Sequence, residues 1–220
     1  MPRYHPVVDA DLVIFDNDGV LVDSERLANE ILAVLLTEAG LATTTEQSIA
    51  TYLGSSMERV RELAEAALGR PLPTDLIDRY HDELFDRMGN ELTAVDGIEA
   101  VLDGIGDRAR CVASSGSPDR IRRSLTVTGL LDRFAPGALF SAAEVERGKP
   151  APDVFLHAAT SMGAAPERCL VVEDSPAGVT AAKAAGMRVI GFAALTPAAR
   201  LDEADHVVSR TDDLLRALLS

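Results

Sequence analysis

The sequence predicts an α/β fold, a parallel sheet with helices on both faces, carrying an α-helical domain inserted after the first strand. Three observations predict it. Asp11 to Asp16 reads DLVIFD, a continuous apolar run closed by acid, as a strand buried on both faces requires. From Ser24 to about Asn90 the apolar residues keep helical spacing, and no strand pattern intervenes. After Val95-Asp96-Gly97, short apolar runs alternate with amphipathic stretches, and such alternation means parallel strands joined by helical crossovers.

Each element follows in order. After the first strand, a turn falls at Asp18-Gly19. Three helical patterns come next: Leu27, Ile31, Val34 and Leu35; then Met57, Val60, Leu63, Ala64 and Ala67; then Leu76, Ile77, Tyr80, Leu84 and Phe85. Ser55 and Glu58 have the spacing of a capping box opening the second pattern. Further strands are expected near 110–114, 138–141, 169–173, 188–192 and 206–208. Helices are expected near 97–105, 118–128, 151–163, 176–185 and 211–219. The expected organisation is a Rossmann-like core built from 1–23 and 94–220, with a helical domain at 24–93.

Composition narrows the function. Hydrophobic residues make up 47% of the 220 and charged residues 25%, enough to bury a core without staples. A net charge of −14 and a pI near 4.6, with no basic run, exclude a nucleic-acid binder of the usual electrostatic kind. Cys111 and Cys169 each open a short apolar run and read as buried strand thiols, with a disulfide as the alternative and without zinc spacing. MPRYHPVVDA has no apolar signal region, and no stretch approaches the ~18 apolar residues of a membrane span. The chain is expected in the cytoplasm, with no membrane partner.

Four strand ends carry chemistry. Asp16-Asn17-Asp18-Gly19-Val20 follows the first strand, and open α/β sheets bind ligands beyond the carboxyl ends of their strands. Alternation lets Asp16 and Asp18 converge while Asn17 points away. Two carboxylates this close need a shared cation or a proton on one of them. A solvated acidic turn is the alternative; a calcium loop is not, because Val20 occupies its fifth position. Ser114-Ser115-Gly116-Ser117-Pro118 ends the next strand. Ser117 reads as an N-cap with proline behind it, whereas Ser114 and the free N–H groups beyond it could hold phosphoryl oxygens.

Gly148-Lys149-Pro150 supplies a lysine in a chain whose 21 lysines and arginines include only Lys149 and Lys183 as lysine. A compact point charge suits a phosphoryl group, although a lone lysine is commonly a solvated surface charge. Val171-Val172-Glu173-Asp174-Ser175-Pro176 again closes a strand with paired acids, fit for magnesium or for the dipole of the following helix. All four fall on one edge of the predicted sheet. Together they offer a nucleophile, an acid/base, phosphate donors, a cation and metal ligands.

At these residues the chain resembles the haloacid dehalogenase superfamily over essentially its whole length. FDNDGVLVDSE (Phe15 to Glu25) is similar to the first motif of that family, Ser114 to the second, GKPAPDVF (Gly148 to Phe155) to the third and VVEDSPAGVTAAKAAGM (Val171 to Met187) to the fourth. The inserted domain resembles the small helical cap of sugar-phosphate phosphatases and β-phosphoglucomutases. The resemblance implies a phosphoric monoester hydrolase in which Asp16 becomes phosphorylated and Asp18 serves as acid and base. It also implies Mg²⁺ held by Asp16, Asp18 (through its carbonyl) and Asp174, with Glu173 nearby or acting through water. Ser114, Ser115 and Lys149 would bind the phosphoryl group.

Asp18 argues against dehalogenation, and the lack of lysine between Ser24 and Val95 against the phosphonatase branch. Ala28 stands where mutases of this family carry histidine, so hydrolysis of a small phosphorylated metabolite is expected over a mutase reaction. The most similar branch hydrolyses 6-phosphogluconate and related sugar phosphates. A cap closing over the substrate and a monomeric chain are further expectations. Two rivals remain: a receiver phosphorylated on aspartate, in which the acceptor lies on a later strand, and a silent sugar-phosphate-binding protein. Asn17 departs from the family pattern, with an expected effect on packing or hydrogen bonding alone. In the cap, Gly54, Ser55, Ser56 and Arg59 fall where related proteins present a specificity loop, and Arg59 is the candidate substrate contact. His5, His81, His157 and His206 show no ligand spacing.

Overall fold

The computed structural model describes residues 10–53, 55 and 57–220. His5, Gly54 and Ser56 lie outside the described residues. Six strands form the sheet: β1 (Leu12–Phe15), β2 (Arg110–Ser114), β3 (Leu139–Ser141), β4 (Cys169–Glu173), β5 (Arg188–Phe192) and β6 (His206–Val208). They lie in the order β3-β2-β1-β4-β5-β6, every neighbouring pair parallel. The Rossmann-like α/β fold is therefore present. Chain order reverses at β1, whose neighbours are β2 on one side and β4 on the other, and the carboxyl edge at such a switch point is where ligands bind.

Residues of β1 and β4 are buried throughout, as runs without polar alternation must be. Ile14 and Phe15 have no exposed surface, and each fully buried side chain of that size adds roughly 1.5–3 kcal/mol. Cys111 and Cys169 are free and buried on β2 and β4, and burial pushes the Cys169 thiol up to about 11. Both are inert packing groups.

The helices between strands are α5 (Ile98–Gly104), α6 (Pro118–Val127), α7 (Asp153–Ser161) and α8 (Pro176–Ala184), and α9 (Thr211–Leu219) follows the last strand. The helix expected near 151–163 is shorter at its start, because Pro152 becomes the N-cap residue instead of joining the helix. Pro118 and Pro176 instead open α6 and α8 behind capping serines, Ser117 and Ser175, which accept from Arg120 N and Gly178 N. The Lys149–Pro150 peptide is cis.

The chain divides into two compact units. One joins the described residues up to Val22 with Thr93–Ser220; the other is Asp23–Leu92. The second unit holds α1 (Ser24–Glu38), α2 (Thr45–Tyr52), α3 (Met57–Leu68) and α4 (Leu76–Met88), with α1 packed on α2 and α4. Three helical patterns were legible there, and α2 was not. Its sequence, TEQSIATY, buries only Ser48 and Tyr52, so it has no apolar stripe to read. Its start is set by a capping box: Thr44 Oγ1 accepts from Gln47 N, and Gln47 Oε1 accepts from Thr44 N. Ser48 Oγ donates to Asn29 Oδ1 at 2.8 Å, a buried bond that ties α2 to α1. Among the described residues no helix is long and apolar enough to cross a membrane.

Candidate active site

β1 ends at Phe15, and the N–H of the next residue, Asp16, still donates to Val172 O of β4 at 2.9 Å. The chain then turns sharply. Leu21 N and Val22 N both donate to Asn17 O, and Gly19 N donates to Val22 O. Gly19 sits at φ +79, where a side chain is strained, and a Cβ there would overlap the Asp174 carboxylate. The glycine thus lets the β1 loop lie directly against an acid from the end of β4.

Lys149 reaches this edge from the loop before α7. Its Nζ donates to Asp16 Oδ1 at 2.6 Å, to Glu173 Oε1 at 2.7 Å and to Ala113 O of β2 at 3.1 Å. Its ammonium also lies 4.8 Å from the centre of the Phe155 ring. The lysine side chain is only 4% exposed, so this is no solvated surface charge. One buried cation therefore joins residues at the ends of the three central strands.

Burial is the largest influence on Asp16 and pushes its carboxyl up to about 7. The Lys149 ammonium opposes that rise, and the charges of Glu173 and Asp18 add to it. For Lys149, burial alone disfavours the charge, but Asp16 and Glu173 together hold its pKa above the ordinary lysine value.

Ser114, the last residue of β2, is buried; its Oγ accepts from Gly116 N at 3.0 Å. Ser115 beyond it is exposed. Ser141 at the end of β3 donates to Gly116 O at 2.6 Å and so pins this loop. Asp18, half-buried, accepts from Arg120 Nη2 of α6 at 3.0 Å. Asn17 is fully buried and turned away, with its Oδ1 accepting from Ser124 Oγ at 3.2 Å. Its Nδ2 is the one buried side-chain N or O atom among the described residues that has no partner.

Glu173, expected near the metal or acting on it through water, has both carboxylate oxygens engaged by neighbouring groups. Its Oε1 is taken by Lys149, and its Oε2 accepts from Ser175 N (2.7 Å) and Ser175 Oγ (2.9 Å). A Cβ at Gly178 of α8 would overlap the Glu173 carboxylate, so that glycine clears its space. Glu173 orders Lys149 and the start of α8. Among the described residues no three His, Cys, Asp or Glu side chains gather as a metal cluster. The carboxylates of Asp16 and Asp174, with main-chain oxygen of the β1 loop, still fit magnesium. That ion takes hard oxygen donors and usually one or two carboxylates, leaving the rest of its shell to water and phosphate.

Arg59 lies in the other unit, on α3, ion-paired with Glu62 at 2.9 Å and more than half exposed. Helix α3 begins at Met57, two residues past Ser55, and Ser55 N donates to Tyr52 O. Of the histidines, His81 stacks edge-on against Tyr80, His157 does so against Phe140, and His206 lies on β6. Arg120 was missed by sequence reading. No spacing in the sequence links it to Asp18, 102 residues away.

Comparison with known proteins agrees with this architecture. The sequence model described as haloacid dehalogenase-like hydrolase matches residues 13–192. A 6-phosphogluconate phosphatase of Escherichia coli K12 is 31% identical over 185 residues, 84% of this chain and 83% of that one. Hexitol phosphatase A of the same organism is 31% identical over 204 residues, 91% of each. Among solved structures, a haloacid dehalogenase-like protein from Agrobacterium tumefaciens C58 superposes with a TM-score of 0.84 at 39% identity, over 94% of this chain and 96% of that one. A hydrolase from Deinococcus radiodurans R1, with bound phosphate and sodium, gives 0.83 at 29% identity, over 95% and 97%.

Proposed function

The chain belongs to the haloacid dehalogenase-like hydrolase family and is a phosphoric monoester hydrolase; from that premise we propose a magnesium-dependent sugar-phosphate phosphatase working through a phospho-aspartate at Asp16. The observation that carries this reading is the buried Lys149 bridge between Asp16 and Glu173 at the sheet's switch point. A buried ammonium beside a carboxylate on the carboxyl edge is a place prepared for a phosphoryl group. Phosphoryl transfer depends chiefly on positioning and on charge stabilisation.

An oxygen of Asp16 attacks phosphorus as the ester oxygen departs, and Asp18 delivers a proton to that oxygen. Water then attacks the phosphorus of the aspartyl phosphate and loses its proton to Asp18. Phosphate leaves, and the Asp16 carboxylate is restored. Lys149, Ser114 and the N–H groups after Ser114, with Ser115, hold the phosphoryl oxygens. Glu173 keeps Lys149 in place. Asp16, Asp174 and the main-chain carbonyl of Asp18 would hold Mg²⁺, which shields the repulsion between phosphate and the attacking carboxylate.

Substrate choice follows the relatives: sugar-acid and hexitol phosphates are the first candidates. Arg59 is the candidate contact to the non-phosphate end, in a cap domain spanning 24–93. Ala28 of α1 brings no proton-transfer group, which supports hydrolysis over a mutase reaction. A monomer in the cytoplasm completes the proposal.

The test is phosphate release from a panel of 6-phosphogluconate, hexitol phosphates, glucose 6-phosphate and nucleotides, with Mg²⁺ and with chelator. Repeated turnover that needs Mg²⁺ and vanishes in Asp16→Asn is expected. A folded protein that releases no phosphate from any of them overturns the proposal. Arg59→Ala should raise KM for the best substrate; an unchanged KM and substrate ranking removes Arg59 from the site.

A further inference from the structure

Helix α6 touches the β1 loop at two consecutive residues. Arg120, at its third position, donates through Nη2 to Asp18 Oδ1 at 3.0 Å, between residues 102 apart in sequence. Four residues on, Ser124 Oγ donates to Asn17 Oδ1. Residues four apart share one face of a helix, so a single face of α6 holds Asn17 and Asp18, the first two residues of the loop that follows Asp16.

The two contacts differ in kind. Ser124 and Asn17 are buried, and their bond seats the helix. Arg120 is 45% exposed and reaches a carboxyl group that is itself 23% exposed. An exposed ion pair of this type adds little to stability, typically about 0–1 kcal/mol. It restrains where the Asp18 carboxyl group lies. That restraint matters for an acid/base, which must stand about 2.6–3.2 Å from the oxygen it serves.

We propose that Arg120 is a positioning residue for Asp18, holding one carboxyl oxygen so that the group meets the bridging oxygen of the phosphoester. The inference rests on the phosphatase reading and adds a residue to it. It makes a prediction that a merely structural role would not. A sugar alkoxide must be protonated as it leaves, whereas nitrophenolate leaves without a proton. Loss of positioning should therefore harm the alkyl ester selectively.

The experiment compares kcat/KM for the best-hydrolysed sugar phosphate of the panel with that for p-nitrophenyl phosphate, in wild type, Arg120→Ala, Arg120→Lys and Ser124→Ala. Because kcat/KM reports the steps up to phosphoryl transfer to Asp16, later hydrolysis does not obscure the difference. Arg120→Ala should lose about tenfold or more on the sugar phosphate and under about threefold on the aryl ester. Arg120→Lys should recover part of the loss. Ser124→Ala should lower the melting temperature and change both substrates by a common factor. Equal loss on both substrates in Arg120→Ala, or no loss, overturns the assignment of Arg120. A wild type that hydrolyses neither substrate overturns the phosphatase reading itself.

Discussion

Lys149 shares one buried ammonium between Asp16 and Glu173. Removing one partner of a buried ion pair costs about 3–5 kcal/mol, because the remaining charge stays desolvated. Lys149→Met should thus lower stability by about 3 kcal/mol in urea denaturation, less in acid, where the orphaned carboxylates can take protons. An unchanged midpoint would contradict the pairing. Asp16 adds a pH dependence of definite sign. Its pKa stands at about 7 in the folded protein against an ordinary 3.8. The folded state therefore keeps a proton that the unfolded chain has released. The associated stability is full below 3.8 and is lost as pH rises through about 7. In chelator, the urea midpoint should fall across that window, and Asp16→Asn should flatten the fall. At this scale the sequence was largely readable. Asp16, Asp18 and Ser114 stood out at or just past strand ends, and Lys149 as one of only two lysines, in the loop before α7. Glu173 stood at a strand end too, but its pairing with Lys149 and Ser175 was not legible, since it depends on which way one side chain turns at the end of β4.

Elements show where local rules yield to tertiary contacts. Gly178 lies inside α8, where alanine is favoured over glycine by about 1 kcal/mol. A methyl group there would overlap the Glu173 carboxylate that orders Lys149. Gly178→Ala should therefore destabilise by about 1–2 kcal/mol despite its helix propensity, and lower kcat by tenfold or more. Calorimetry and phosphate release would check both; a stabilised, fully active variant would contradict the packing described. In the other unit, Thr44→Ala removes one half of the capping box of α2 and should cost about 1 kcal/mol. The sequence hid α2 because a short helix held by caps and by the Asn29–Ser48 bond needs no apolar stripe. It revealed α6 and α8 because serine–proline pairs open them.

At the scale of the whole molecule, strand order does the decisive work. A chain reading β3-β2-β1-β4-β5-β6 puts the ends of β1, β2 and β4 side by side, so three short stretches far apart in sequence meet at one edge. Apolar strand runs closed by acids or serine made a parallel sheet with its chemistry on one edge expected, although not the order of its strands, and residues 13–192 match the haloacid dehalogenase-like hydrolases. The pairing between elements escaped the sequence. Neither the Arg120–Asp18 contact nor the Ser124–Asn17 contact has a spacing signature, since each joins positions more than 100 residues apart. The central claim is that Asp16 carries the phosphoryl group during turnover. The most direct measurement is mass spectrometry of peptides from protein quenched in acid during steady-state hydrolysis with Mg²⁺. The account predicts one phosphoryl group on the peptide containing Asp16, absent once substrate is exhausted and absent in Asp16→Asn. Sustained turnover with no phosphorylated peptide, or with the label on another residue, would contradict it.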